Sequence, residues 1–83
     1  MEQIVRTAKQ VGAAIRRVRR TKNLTQSVVG SKTRKRQGTI SLLETGDVDT
    51  QLGTLLDVLS ALDLEIVIRN RSKASAKDIE ELF

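Results

Sequence analysis

The sequence predicts a mainly α-helical domain that ends in a single β-strand. Three observations carry that expectation. Apolar residues recur at helical spacing in separate segments; the stretch 24–46 forms two short helical pieces joined by a tight turn; and at residue 63 the pattern changes to a β-branched, roughly alternating run. The chain has 83 residues, room for one small domain, and a chain of this size buries only about 60–65% of its unfolded surface. Its core must be aliphatic, because Phe83 is the only aromatic residue, and the absence of proline permits continuous helices. A second copy would add core that one chain lacks.

Residues 1–6 are an N-terminal arm, either loose or a short strand through Ile4 and Val5. Thr7 and Gln10 have the spacing of a capping box, with Thr7 as N-cap and Gln10 reaching back. Val11, Ala14, Ile15 and Val18 then fall on one face, so the first helix spans 8–21, with Arg16, Arg17 and Arg20 off the apolar stripe. Asn23 can take the left-handed exit in place of glycine. Leu24 is the apolar residue before a second N-cap, Thr25, and the second helix begins at Gln26 with Val29 pointing to the core. Gly30 in a helix interior costs about 1 kcal/mol relative to Ala, which predicts close approach of the next helix. The third helix spans 37–44, with Ile40 and Leu43 inward, and Gly46 suits a left-handed end. After the acidic loop 47–50, Leu52, Leu55, Leu56, Leu59 and Leu62 have helical spacing, so the fourth helix spans 51–62.

The run 64–69, LEIVIR, is expected to be a strand; its rival is a continuation of the fourth helix. A lone strand leaves unpaired N–H and C=O groups on both edges. Its simplest partner is its own copy, giving a two-stranded antiparallel ribbon through Leu64, Ile66, Val67 and Ile68 in a homodimer. The organisation is then an arm at 1–6, a helical domain at 7–63, a dimerising strand at 64–70 and a polar tail at 71–83. In that tail Ile79, Leu82 and Phe83 fall at i, i+3, i+4, the spacing of a segment that docks on a partner protein.

The net charge of +5 conceals an asymmetry. Residues 1–46 hold eleven Lys/Arg against Glu2 and Glu44, whereas residues 47–83 hold four against eight acids. The first half is suited to a polyanion. Cys and His are absent, which removes disulfides, thiolate nucleophiles, zinc sites and imidazole bases. No catalytic residue, metal or cofactor is expected, since Thr39 and Ser41 have no visible base. No apolar run reaches the ~18 residues of a membrane span, and the expected setting is the bacterial cytoplasm, in association with the nucleoid.

Arg36-Gln37-Gly38-Thr39 opens the third helix with side chains able to reach phosphates and base edges. The pieces IRRVRR, LTQ, QGTISLLETG and LGTLLDVLSALDL, over residues 15–64 and at the right separations, resemble the Xre/Cro-type (lambda-repressor-like) helix-turn-helix domains. LEIVIR and the polar tail further resemble the HipB-like subgroup, antitoxins of HipA-type kinase toxins that also repress their own operon. The resemblance implies a bundle of four to five helices, a C-terminal strand pairing across a homodimer, and a recognition helix in the major groove of a palindromic operator. By position in the motif, Gln26 matches a residue that bonds a phosphate, beside the N-cap Thr25. Gln37 matches the base reader; a Gln amide can bond adenine N6 and N7 together. Arg36 matches a phosphate-facing N-cap. Thr39 and Ser41 lie on the exposed side of the recognition helix, where Leu42 can pack on a thymine methyl. Arg19 and Glu44 match a structural ion pair.

Relatives place an aliphatic residue, a glycine and an aliphatic residue where this chain has Thr33, Arg34 and Lys35. Arg34 in a left-handed turn costs about 1 kcal/mol, and Lys35 must snorkel. The expected return is a row of phosphate contacts from Lys32, Arg34, Lys35 and Arg36. The partners implied are double-stranded DNA, a second copy and a HipA-like kinase toxin. The rival readings are a stand-alone repressor with no toxin and a protein-binding adaptor with a vestigial motif.

Overall fold

Four α-helices form in the computed structural model, which describes residues 2–72: α1 Ala8–Thr21, α2 Gln26–Thr33, α3 Gln37–Thr45 and α4 Leu52–Ala61. All four end in one way. A residue with positive φ follows each helix: Asn23 (57°), Arg34 (58°), Gly46 (91°) and Asp63 (59°). At each exit two N–H groups turn back onto the last helical carbonyls, as in Asp63 N to Ser60 O at 3.1 Å and Leu64 N to Leu59 O at 2.8 Å. This is the Schellman closure. Asn23 and Gly46 take the expected left-handed exits, and Arg34 takes the left-handed position in the turn that was expected to cost it strain.

The closure at Asp63 decides the fate of the next segment. Leu64 donates backward to Leu59 and packs with it against the core, so α4 cannot continue and 64–69 is not helix. Neither is it strand here: among the described residues none pairs with this run and no ladder forms. Helix boundaries otherwise follow the caps. Thr7 Oγ1 accepts from Gln10 N at 3.1 Å and Thr25 Oγ1 from Val28 N at 3.1 Å. Gln10 does reach back, but to Arg6 N, one residue before the N-cap.

Ile15, Val18, Val29, Ile40, Leu43, Val58 and Leu62 form the core, with Val11, Leu24, Leu55, Leu59 and Leu64 packed on it. The leucine stripe expected on α4 is corrected. Thr54, Val58 and the capping Leu62 face inward, whereas Leu52 is 65% and Leu56 46% exposed. The reason is the direction from which α2 packs on α4; it selects the face carrying Val58, and Leu55 and Leu59 flank it half-buried. Gly30 is closely approached, but by the turn before α3 rather than by the helix that was expected: an added Cβ would stand 2.7 Å from Lys35 O. Gly12 is a second such position, on α1, where a Cβ would stand 2.6 Å from Glu44 O of α3. The tail anchors Ile79, Leu82 and Phe83 lie outside the described residues.

Candidate nucleic-acid interface

The interface is built outward from a buried charge. Arg19 comes off α1 toward α3 and meets Glu44 in a two-pronged pair, Nε to Oε2 at 2.6 Å and Nη2 to Oε1 at 3.0 Å. The third side of the guanidinium donates to Leu24 O at 2.8 Å, so the pair also fastens the α1–α2 corner. Both side chains are almost wholly buried. The bond to Glu44 raises the Arg19 pKa above its already high ordinary value, against the opposing effect of burial. The sign follows: this stabilisation is fully present below the unfolded arginine pKa and fades only as pH rises through the higher folded one. It is constant across any ordinary working pH.

Glu44 has a second task. Its Oε1 accepts from Gln26 Nε2 at 3.1 Å. Gln26 Oε1 in turn accepts from Gln37 Nε2 at 3.4 Å, and Gln37 Oε1 accepts from Ser27 Oγ at 3.3 Å. A relay of four side chains therefore runs from the buried Arg19 to the exposed Gln37, with Ser27 on its far side. It joins the first turn of α2 to the first turn of α3 and holds both amides at the surface. Gln37 was legible from the motif; Ser27, which orients its carbonyl oxygen, was not, because the contact crosses ten residues of chain.

The cations of the turn divide. Arg36 is the N-cap of α3, its side chain makes no capping bond, and it forms no ion pair among the described residues. Lys35 is half-buried and its ammonium lies 4.0 Å from Asp57 of α4. Lys32 and Arg34 line a cleft of about 510 Å³ together with Asp57, Ser60 and Ala61. On α3, Thr39 and Ser41 are half-exposed and Leu42 is 56% exposed. Thr39 and Leu42 border a second, smaller cleft closed by the acidic loop through Asp47 and Asp49. Asp57 and this loop are parts of the surface that sequence spacing did not bring together with the basic turn.

Charge is sorted on a larger scale. Between Glu2 and Glu44 there is no acidic residue, and between Arg36 and Arg69 there is no basic one. A basic turn beside exposed neutral amides can bind a polyanion while leaving amide and hydroxyl groups to read what lies between its charges.

Several solved structures share this architecture. A "HipB-O4 20mer complex" matches with TM-score 0.80 and 29% identity, over 87% of this chain and 100% of that one. A HipB–O2 20mer complex matches with TM-score 0.81 and 27% identity over 88% and 100%. A third, "Structure of HipA-HipB-O2-O3 complex", gives TM-score 0.79 and 29% identity over 87% and 100%. No curated protein matches the chain. The family model described as Helix-turn-helix matches residues 15–68, more than half of the chain, and with the HipB-like architecture around it the protein belongs to the Xre-type helix-turn-helix family.

Proposed function

We propose that this protein is a sequence-specific DNA-binding repressor and the antitoxin of a HipA-like kinase toxin, acting as a homodimer on a palindromic operator that controls its own operon. The observation that carries the reading is the Gln26–Gln37 joint, fixed from behind by Arg19 and Glu44 and presented at the start of α3. Gln37 reads a base edge; Gln26, Thr25, Arg36 and the cations Lys32, Arg34 and Lys35 take phosphates; Thr39, Ser41 and Leu42 complete the reading surface. Similarity to HipB in complexes with O2 and O4 20mers and with HipA supports both halves of the assignment.

The dimer is supported by apolar surface that one chain leaves uncovered. Leu52, Leu56, Ile66, Val67 and Ile68 are all exposed, Ile68 at 95%. The backbone of 65–70 has no partner in its own chain among the described residues. Pairing two copies through 64–69 would satisfy that backbone and cover apolar side chains among Ile66, Val67 and Ile68, although Leu64 itself is already committed to its own core. Three or four phosphates neutralised per subunit imply a slope of log K against log salt of about −5 to −7. Half-site centres about one helical turn, ~10 bp, apart follow from the two-fold symmetry.

Fluorescence anisotropy on a palindromic duplex and its scrambled counterpart, combined with sedimentation mass, tests the reading. Preference for the palindrome by a dimer is expected; a monomer with no preference overturns it. Removing 72–83 is expected to leave operator binding intact and abolish kinase binding. Kinase binding that survives the truncation takes Ile79, Leu82 and Phe83 out of the docking role.

A further inference from the structure

The unpaired run after α4 begins one residue later than its sequence pattern. Leu64 N donates to Leu59 O, and the Leu64 side chain packs on the core. Both groups are committed within one chain, so the free backbone starts at Glu65. All of 65–70 is exposed. In an extended chain successive side chains point to opposite faces. Ile66 and Ile68 then share the side that Leu64 turns to the core, and Glu65, Val67 and Arg69 share the other. Glu65 has no ion pair among the described residues. Arg69 pairs with Glu2 at 3.8 Å, both side chains more than half exposed, which makes a weak tie.

A two-fold axis lets two such runs pair antiparallel, and the freedom that remains is where the ladder has its centre. A centre on Ile66 sets Leu64, already spent, against Ile68 and leaves Glu65 against Val67. A centre on Ile68 sets Ile66 against Asn70 and Val67 against Arg69. A centre between two residues brings the isoleucine face of one copy to the same side as the Glu65 and Arg69 of the other, so charge falls among the isoleucines. A centre on Val67 avoids all three faults. It uses 65–69 throughout, sets Ile66 against Ile68 and sets Glu65 against Arg69. Apolar pairs and opposite-charge pairs directly across a ladder both stabilise it. EIVIR is thus self-complementary when read antiparallel, and the partner it fits is another copy of this chain.

Resting on the homodimer reading, we propose that two copies pair over 65–69 in the register centred on Val67, with Glu65 of each copy bonded to Arg69 of the other. Arg69 exchanges its exposed tie to Glu2 for a carboxylate held opposite it on a ladder. Ile66 and Ile68 of both copies form one apolar face, on the side where Leu64 enters each core. Val67 meets its own copy on the other face, between the two ion pairs. The residues with the most to gain from cover, Val67 at 72% and Ile68 at 95% exposed, then stand on the axis and next to it.

The test uses the full chain, which has no cysteine of its own. Val67→Cys, Ile66→Cys and Ile68→Cys are made singly and oxidised, and the disulfide-linked dimer is followed on non-reducing gels. Residues directly opposite on an antiparallel ladder have Cα atoms about 4.5–5.5 Å apart, within the reach of a disulfide, about 4.4–6.8 Å. In the Val67 register the two copies of residue 66, or of 68, are offset by a further ~7 Å along the strand, which puts them beyond it. Val67→Cys is expected to cross-link at least ten-fold faster than the other two. In a second arm, Glu65→Arg and Arg69→Glu are each expected to weaken the dimer at least ten-fold by sedimentation, and an equimolar mixture of the two to regain it. Faster cross-linking at 66 or 68 overturns the register and leaves the dimer standing. So do single charge variants that dimerise as the wild type does, or a mixture that stays monomeric. A monomeric wild type, with no cross-link in any variant, instead removes the homodimer reading beneath.

Discussion

Glu44 accepts from Gln26 Nε2, at 3.1 Å, with the same oxygen that takes the Arg19 guanidinium at 3.0 Å. One carboxylate thus serves the core and the surface together. Removing one partner of a buried pair strands the other charge and costs about 3–5 kcal/mol. Arg19→Ala should therefore lower stability to urea by that amount, a large share of what a domain this size possesses. It should also blunt operator preference in whatever fraction stays folded, because Gln26 then has a mobile anchor. Full stability in the variant would show the pair to be idle.

Gln37 stands at the end of the same relay, bonded to Gln26 and Ser27 in the free protein. Both bonds are long and exposed, so they hold the amide ready without binding it tightly. Gln37→Ala is expected to cut discrimination at one base pair by about 1–3 kcal/mol. A panel of single-base operator variants measured by anisotropy resolves this. Uniform weakening across the panel would demote Gln37 from reader to phosphate contact.

Helix starts were legible because they are local: Thr7 and Thr25 each cap an N–H three residues on. The end of α4 was visible only as a change of period at Asp63, since an Asp in the left-handed region carries no signature as plain as glycine. The inward face of α4 was not legible. Five leucines outweighed Thr54 and Val58 in the sequence, and only the position of α2 settled which side is buried. In the same way, the motif placed Gln26 and Gln37 in one interface, but not against each other, and nothing local linked Lys35 to Asp57, which lies on another helix.

That last contact makes a sharp case. Lys35 and Asp57 are 4.0 Å apart, Lys35 half-buried and Asp57 exposed, so the pair itself is worth at most ~1 kcal/mol. As a proposed phosphate contact, however, Lys35 is in competition between Asp57 and DNA. Asp57→Asn should tighten binding to operator and scrambled duplex alike and steepen the salt slope by up to about 0.9. Lys35→Ala should flatten the slope by a similar amount and abolish the effect of Asp57→Asn. If the two substitutions simply add, Lys35 does not leave Asp57 for the phosphates.

Gly12 is buried where α1 crosses α3, and a Cβ there would stand 2.6 Å from Glu44 O, a backbone atom. Propensity alone favours Ala over Gly in a helix by about 1 kcal/mol. Backbone cannot swing aside, so the helices must separate, and overpacking typically costs about 1–3 kcal/mol. The clash should win, and since it pushes on Glu44 it should disturb the relay as well. Gly12→Ala is expected to lower the urea midpoint and weaken operator binding. A more stable Gly12→Ala would mean that the crossing has room to spare.

Arg34 sits at φ 58°, where an L-residue other than Asn or Asp is strained by about 1–2 kcal/mol. The turn nevertheless forms, held by Lys35 N to Gly30 O at 2.8 Å and by the core contacts of α2 and α3. Arg34→Gly relieves the strain but gives the unfolded chain more freedom, an offset of about 0.5–1 kcal/mol. The net gain, about 0.5–1 kcal/mol, should raise the melting temperature by several degrees, since 1 kcal/mol corresponds to about 4–8 °C in domains of this size. The same change removes a proposed phosphate contact and should flatten the salt slope by about 0.9. Stability and affinity moving in opposite directions would show that this chain holds a strained arginine in its turn for the sake of the charge. A salt slope that does not move would take Arg34 off the DNA and leave its strain unexplained by binding.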